Sequence, residues 1–329
     1  MENMSKASPL LDVQDLRVDF KTRAGLMHAV RGVNFTLAER EILGIVGESG
    51  CGKSVTANTI LGLIGEKKHE LINGRILFHG ENILDFSPKE RAKLQGNRIS
   101  MIFQDPMTSL NPVIKVGKQV GEVLEIHQKM PRKQALSRAI KQLRDVGIPS
   151  AEERAHSYPF QFSGGMRQRA IIASSLMCEP EILIADEPTT ALDVTIQAQI
   201  LDLLLELREK RGVSIILITH DLGVVAEICD SVAVMYAGQI VEKAPVEKLF
   251  AKPLHPYTKG LLHCIPMLGQ KDRLIPIPGQ PPKLYEEQGG CAFAERCPYR
   301  TEKCSGPVGL YEIEKDHFAA CKDGGGLNG

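Results

Sequence analysis

The run Gly47-Glu48-Ser49-Gly50-Cys51-Gly52-Lys53-Ser54 has the residue types and spacing of a phosphate cradle. Glycines let a chain turn with positive φ and bring backbone N–H groups close to an anion. A helix N-terminus adds unpaired donors and partial positive charge. In the GxxxxGK[ST] pattern the loop's backbone N–H groups face phosphate oxygens. Lys53 reaches the β- and γ-phosphates, and the Ser54 hydroxyl ligates Mg²⁺. The pattern requires a buried strand before the loop and a helix after it. Residues 42–46 are continuously apolar and residues 55–61 read as the first helical turns.

Other reactive side chains fall where strands end. Gln104 follows the apolar stretch 99–103 and precedes Pro106, a place from which a side chain reaches a ligand at the carboxyl edge of a sheet. Asp186 and Glu187 end the apolar run 182–185. Adjacent strand residues point to opposite sides, so the two acids divide the work. Asp186 approaches Mg²⁺ and Glu187 faces the attacking water. His220 stands after the apolar strand 213–218. Ser163-Gly164-Gly165 opens a helix running to residue 178 and forms a second anion-ready helix start, with Ser163 as N-cap. Thr189-Thr190-Ala191-Leu192-Asp193 leads into a long helix over 194–210, with Ile196, Ile200, Leu203, Leu204 and Leu207 on its buried side. Phe20, read as the end of a strand, can stack on an adenine for ~1–3 kcal/mol. A plain core role suits it equally.

These side chains need an α/β scaffold. Alternation over residues 10–20 and a second pattern over 29–37 predict antiparallel strands around a polar turn at 21–27. Short strands are expected at 74–78 and 82–84, and a helix begins at Ser87-Pro88-Lys89-Glu90, a capping box with Pro at its first position. Helical spacing takes over from 116 to 146. Residues 230–236 and 238–242 read as a hairpin. The fold class is α/β, with an antiparallel β subdomain, an inserted helical subdomain and a cysteine-rich C-terminal extension. The expected boundaries are 10–104 and 163–250 for the nucleotide-binding core, 105–162 for the helical subdomain and 251–329 for the extension.

At 329 residues, 40 Lys+Arg balance 40 Asp+Glu, so a broad attraction to nucleic acid or acidic lipid is unsupported. No stretch approaches the ~18–20 apolar residues that span a bilayer. The first residues lack a secretory pattern, and the chain reads as cytosolic.

The Lys53 loop, Gln104, Ser163-Gly164-Gly165, Asp186-Glu187, Ala191-Leu192-Asp193 and His220 occur in the order and approximate spacing of the ATP-binding cassette ATPases, which the chain resembles over about residues 10–250. Narrower stretches resemble the ATPase subunits of dipeptide and oligopeptide importers: residues 104–112, 162–169, 255–258 and 278–282. The resemblance implies ATP hydrolysis, with Lys53 and the backbone from Ser49 to Val55 holding the phosphates, Ser54, Gln104 and Asp186 around Mg²⁺, Glu187 polarising water and His220 at the γ-phosphate. Ser163, Gly164 and Gly165 would address ATP held by an opposite cassette. Met166 stands where the family's signature usually has Gln. Implied partners are two membrane permeases docked on the helical insertion, a second related ATPase and, indirectly, an extracytoplasmic peptide-binding protein. The place implied is the cytoplasmic face of the membrane. The same machine importing nickel or another small solute is an alternative. A soluble cassette acting on nucleic acid or ribosomes is a weaker one, since there is one cassette and no heptad arm.

Cys291, Cys297, Cys304 and Cys321 crowd the end of the chain, separated by five, six and sixteen residues. In a reducing compartment such a group points to metal more than to disulfides. Four thiolates can bind Zn²⁺, but structural zinc prefers closer C-x₂₋₄-C pairs. Iron–sulfur ligation tolerates wider spacing. The tail resembles those of peptide-importer ATPases that carry a [4Fe–4S] cluster. The segment has too little apolar content for a core of its own, so a structural staple is the favoured role. Prolines over 253–282 predict an extended linker with a short helix at 257–264.

Overall fold

The computed structural model describes residues 8–65, 67–105, 109–190, 192–264, 276–285 and 289–321. Residues 106–108 of the predicted importer-type stretch, and Ala191, lie outside them. The chain divides into two compact units, one of residues 1–38, 42–84 and 218–329, the other of residues 39–41 and 85–217.

In the first unit, β1 (Leu11–Thr22) is the middle of an antiparallel sheet with β2 (Gly25–Leu37) on one side and β4 (Glu70–Phe78) on the other. The β1–β2 turn is tighter than the polar residues 21–27 suggested. Thr22 Oγ1 donates to the Gly25 carbonyl at 2.8 Å and accepts from Ala24 N at 3.2 Å, so pairing continues to Thr22 and Gly25. Beyond β4 the predicted strand at 82–84 shrinks to β5 (Glu81–Asn82), followed by a 3₁₀ turn at Ile83–Asp85. The second sheet portion of this unit runs, in order, β11 (Tyr311–Glu314), β12 (His317–Ala319), β10 (Gln239–Pro245), β9 (Ser231–Tyr236) and β3 (Ile42–Val46). Here β3 is parallel to β9, while β10 returns antiparallel. All five residues of β3 are buried, as continuous apolar sequence requires of a strand covered on both faces.

The last segment has no large core of its own, in keeping with its sparse apolar content, and packs on that of its unit. It supplies β11 and β12, and β12 pairs with β10. Phe293 and Ala292 join Tyr236, Tyr257, Val234 and Leu249 in one apolar cluster, so the segment borrows the core of its unit.

In the second unit, β8 (Ser214–Thr219, its last two residues belonging to the first unit), β7 (Ile182–Asp186) and β6 (Ile99–Ile102) lie side by side, β6 and β7 parallel. Ser87 caps the helix Pro88–Leu94 with a full capping box. Helices Val116–His127 and Arg132–Asp145 form the predicted helical stretch. The helix Val194–Arg211 buries Ile200, Leu203, Leu204 and Leu207, with Ile196 half-buried. Among the described residues no helix is long and apolar enough to cross a membrane.

Candidate nucleotide site

The phosphate loop leaves β3 at Val46 and enters the helix Lys53–Ile60. Gly47 has φ +156°, and a Cβ there would stand 2.1 Å from the Met235 carbonyl oxygen, so only glycine fits. Lys53 is 6% exposed and its ammonium is folded onto the loop's own carbonyls. Nζ donates to Gly47 O at 2.7 Å and Glu48 O at 3.0 Å, with the Cys51 sulfur at 3.7 Å. Burial pushes the Cys51 thiol up, opposed by the neighbouring Lys53 charge. Ser49 and Gly50 are exposed, and Ser54 and Val55 half-buried, as befits a rim that must meet a ligand.

His220 is exposed one residue after β8, and Asp221 caps the next helix, Leu222–Ile228, through Gly223 N at 2.8 Å. Phe20 is half-buried within β1, opposite Met27 and Glu70, and the strand continues two residues beyond it.

The second unit gathers another group. Parallel pairing of Ile102 with Ala185 brings the ends of β6 and β7 level. Gln104 Nε2 there donates to Glu187 Oε2 at 3.1 Å. Thr190 Oγ1 donates to the same oxygen at 2.8 Å. Glu187 has φ +48°, a left-handed conformation that costs a non-glycine residue and marks a constrained turn. Asp186 is 4% exposed, whereas Glu187 is half-buried, so the adjacent acids sit in different surroundings.

Ser163 caps the helix Gly164–Ser175, its side chain accepting from Met166 N at 3.3 Å. Gly165 lies against the long helix, where an added Cβ would fall 2.8 Å from Ile196 Cγ2. Gln168, 2% exposed, donates from Nε2 to Pro188 O at 2.7 Å and ties this helix to the turn holding Glu187. Asp193 caps the helix Val194–Arg211 through Ile196 N at 2.9 Å. Thr190 and Gln168 escaped sequence reasoning. Thr190 follows Glu187 by three residues, the offset of a local turn bond, which is the signal that could have found it.

The four late cysteines are half-buried free thiols. Burial pushes the Cys291 thiol up, and Cys304, Cys297 and Cys321 add to the shift. Cys291 N donates to Cys304 O at 2.8 Å. Among the described residues no group of three or more His, Cys, Asp or Glu side chains could hold a metal ion. Neither the iron–sulfur nor the zinc reading therefore finds a ready ligand set among the described residues.

Residues 30–190 match the ABC transporter family, and residues 241–304 match the oligopeptide/dipeptide transporter C-terminal region. The chain is 54% identical over 296 residues to the dipeptide transport ATP-binding protein DppD of Bacillus subtilis, covering 90% of this chain and 88% of that protein. It is 49% identical to the oligopeptide transport ATP-binding protein OppD of Escherichia coli, covering 96% and 94%. Among solved structures, the ATP-binding cassette MJ0796 in a dimeric post-hydrolysis state bound to ADP and Pi superposes with a TM-score of 0.64 at 26% identity, covering 72% of this chain and 98% of that one. The cbiO1 cassette of Clostridium perfringens, part of a cbiONQ complex, gives 0.63 at 32% identity, covering 74% and 91%. A glycine loop with its lysine, a strand-end acid held by a glutamine and similarity across nine-tenths of the length lead to one conclusion: the chain belongs to the ABC transporter family and is an ATP-hydrolysing member of it.

Proposed function

We propose that this chain is the ATP-hydrolysing subunit of a membrane importer for dipeptides or oligopeptides. The observation that carries the reading is identity near one half to dipeptide and oligopeptide transport ATP-binding proteins, extending through the C-terminal region. Lys53 and the backbone of 49–55 bind the phosphates of ATP. Ser54, Gln104 and Asp186 are the side chains suited to Mg²⁺, being a hydroxyl, an amide oxygen and a carboxylate, the hard donors that ion prefers. Glu187 orients the attacking water, His220 contacts the γ-phosphate, and Phe20 stacks on the adenine. The Ser163-Gly164-Gly165 helix start and Asp193 address nucleotide on a second cassette, and a related non-identical ATPase is the expected partner. Residues 105–162 form the helical subdomain that meets two permeases, 10–104 with 163–250 the core, and 251–329 the extension. The subunit sits at the cytoplasmic face of the membrane, and an extracytoplasmic binding protein delivers peptide to the permeases.

The cysteines are proposed to hold a [4Fe–4S] cluster. What supports this reading is four half-buried free thiols in one short stretch, at spacings wider than structural zinc prefers. When bound, the cluster staples the extension. Anaerobic protein absorbing near ~400 nm with about four irons per chain supports it, and zinc alone overturns it. Co-purification tests the transporter reading: two permeases and a second cassette are expected, and RNA or DNA in their place would overturn it.

A further inference from the structure

Glu48 is the second residue of the phosphate loop, at a position where the motif asks nothing of the side chain. In the structure it is held at three points. Its N–H donates to Tyr257 Oη at 2.9 Å. Its carbonyl accepts Lys53 Nζ at 3.0 Å. Its carboxylate receives a fork from Arg296, Nη1 to Oε2 at 2.8 Å and Nη2 to Oε1 at 3.0 Å. Arg296 lies 248 residues further along the chain, beside Cys297.

Arg296 is itself fixed. It is 8% exposed, and each of its five N–H groups has an acceptor. Besides the two bonds to Glu48, Nε donates to Pro278 O at 2.8 Å, Nη1 to Tyr236 Oη at 3.3 Å and Nη2 to Ile277 O at 3.4 Å. Its guanidinium stands 5.7 Å from the Tyr236 ring centre and 5.9 Å from that of Phe293. A planar fork with every donor used has one orientation, which lysine cannot reproduce. Tyr257 is fully buried in the same cluster.

We propose that Arg296 and Tyr257 are positioning residues for ATP binding, through which the C-terminal extension presets the phosphate loop. Two physical effects operate together. A glycine-rich loop loses much conformational freedom when it closes on phosphate, and holding Glu48 beforehand removes part of that cost. Glu48 also places a carboxylate in a loop that must receive a polyanion, and Arg296 compensates its charge. Glu48 thereby passes the order of the extension to the carbonyl that orients Lys53. The inference rests on residues 47–54 being the ATP site.

The test is the KM for ATP and kcat of the full chain in its transporter complex, for Arg296→Met, Glu48→Gln and the double variant. Arg296→Met is expected to raise KM about tenfold, the scale of a typical coupling between sites, with kcat at saturation changed less than about threefold. Glu48→Gln breaks the charged fork but also removes the loop's own anion, so its KM rises less than that of Arg296→Met, and the double variant is no worse than Arg296→Met, because the pair acts as a unit. Arg296→Lys fails to restore the wild-type KM. A KM within about twofold of wild type in both single variants overturns the proposal. Should Arg296→Met fail to fold, Arg296→Lys decides: it keeps the charge and loses the fork, so a raised KM supports the proposal and a wild-type KM overturns it. Lys53→Ala keeping full nucleotide affinity would instead overturn the ATP-site reading, so the two failures are distinct.

Discussion

Gln104 and Glu187, from the ends of two neighbouring parallel strands, share a hydrogen bond of 3.1 Å, and Thr190 donates to the same carboxylate oxygen. Two donors on Oε2, one from a neighbouring strand end and one from the same turn, hold the carboxylate plane. A base that must aim at one water molecule needs its plane fixed in this way.

Replacing Glu187 with Gln keeps the shape and removes the proposed base. Turnover is expected to fall by ~10²–10⁴ while ATP affinity is retained. Equilibrium binding of a fluorescent ATP analogue together with phosphate release checks both halves. Normal turnover would remove Glu187 from the mechanism.

Thr190→Val deletes one of the two donors to Oε2 and nothing larger. The expected loss in kcat is about tenfold, with KM for ATP nearly unchanged, since the interaction orients a catalytic group rather than binding substrate. A change confined to KM would argue against an orienting role.

Gly165→Ala tests helix packing at the Ser163 helix start. The new methyl meets Ile196 Cγ2 at 2.8 Å, and overpacking of this kind costs roughly 1–3 kcal/mol. A lowered midpoint in urea is expected, and Gly165→Ala combined with Ile196→Val should recover part of it.

Glu242 is a buried junction for the extension. It is fully buried and accepts from Leu254 N at 2.8 Å, His255 N at 2.8 Å and His317 Nε2 at 2.7 Å. Glu242→Ala strands three donors and should destabilise by roughly 3–5 kcal/mol. Hydrogen exchange should show β12 opening first. Unchanged protection there would refute the junction.

Acid sensitivity follows from His255 beside it. Burial pushes this imidazole down to about 4 from an ordinary 6.5, with Glu242 opposing the shift and Lys259 adding to it. Between those values the unfolded chain binds the proton that the folded one excludes. Stability therefore falls as pH drops from about 6.5 towards about 4, by up to on the order of 3 kcal/mol. His255→Asn should flatten the dependence of the urea midpoint on pH in that window. An unaltered slope would contradict this origin.

Much of the site was legible because its signals are local. Ser87, Ser163 and Asp193 cap helices from within three residues, and the Lys53 loop needs only a strand before it and a helix after it. Strand limits were less legible. Gly25-Leu26-Met27 and Glu70-Leu71-Ile72-Asn73 lack alternation and join the β1 ladder through backbone pairing that no side-chain pattern records. Where the extension packs was not legible, because Phe293 meets Tyr236 and Tyr257, residues far away in sequence. Glu48 and Arg296 meet across 248 residues, and nothing near either one announces the other.

The central claim is that ATP cleavage at this chain drives peptide entry. Uptake of a labelled dipeptide or oligopeptide into proteoliposomes holding both permeases, the partner cassette and this subunit, with binding protein outside and ATP inside, tests it most directly. Uptake should require ATP and vanish with Glu187→Gln while ATP stays bound. Peptide accumulation at the wild-type rate with that variant would contradict the account.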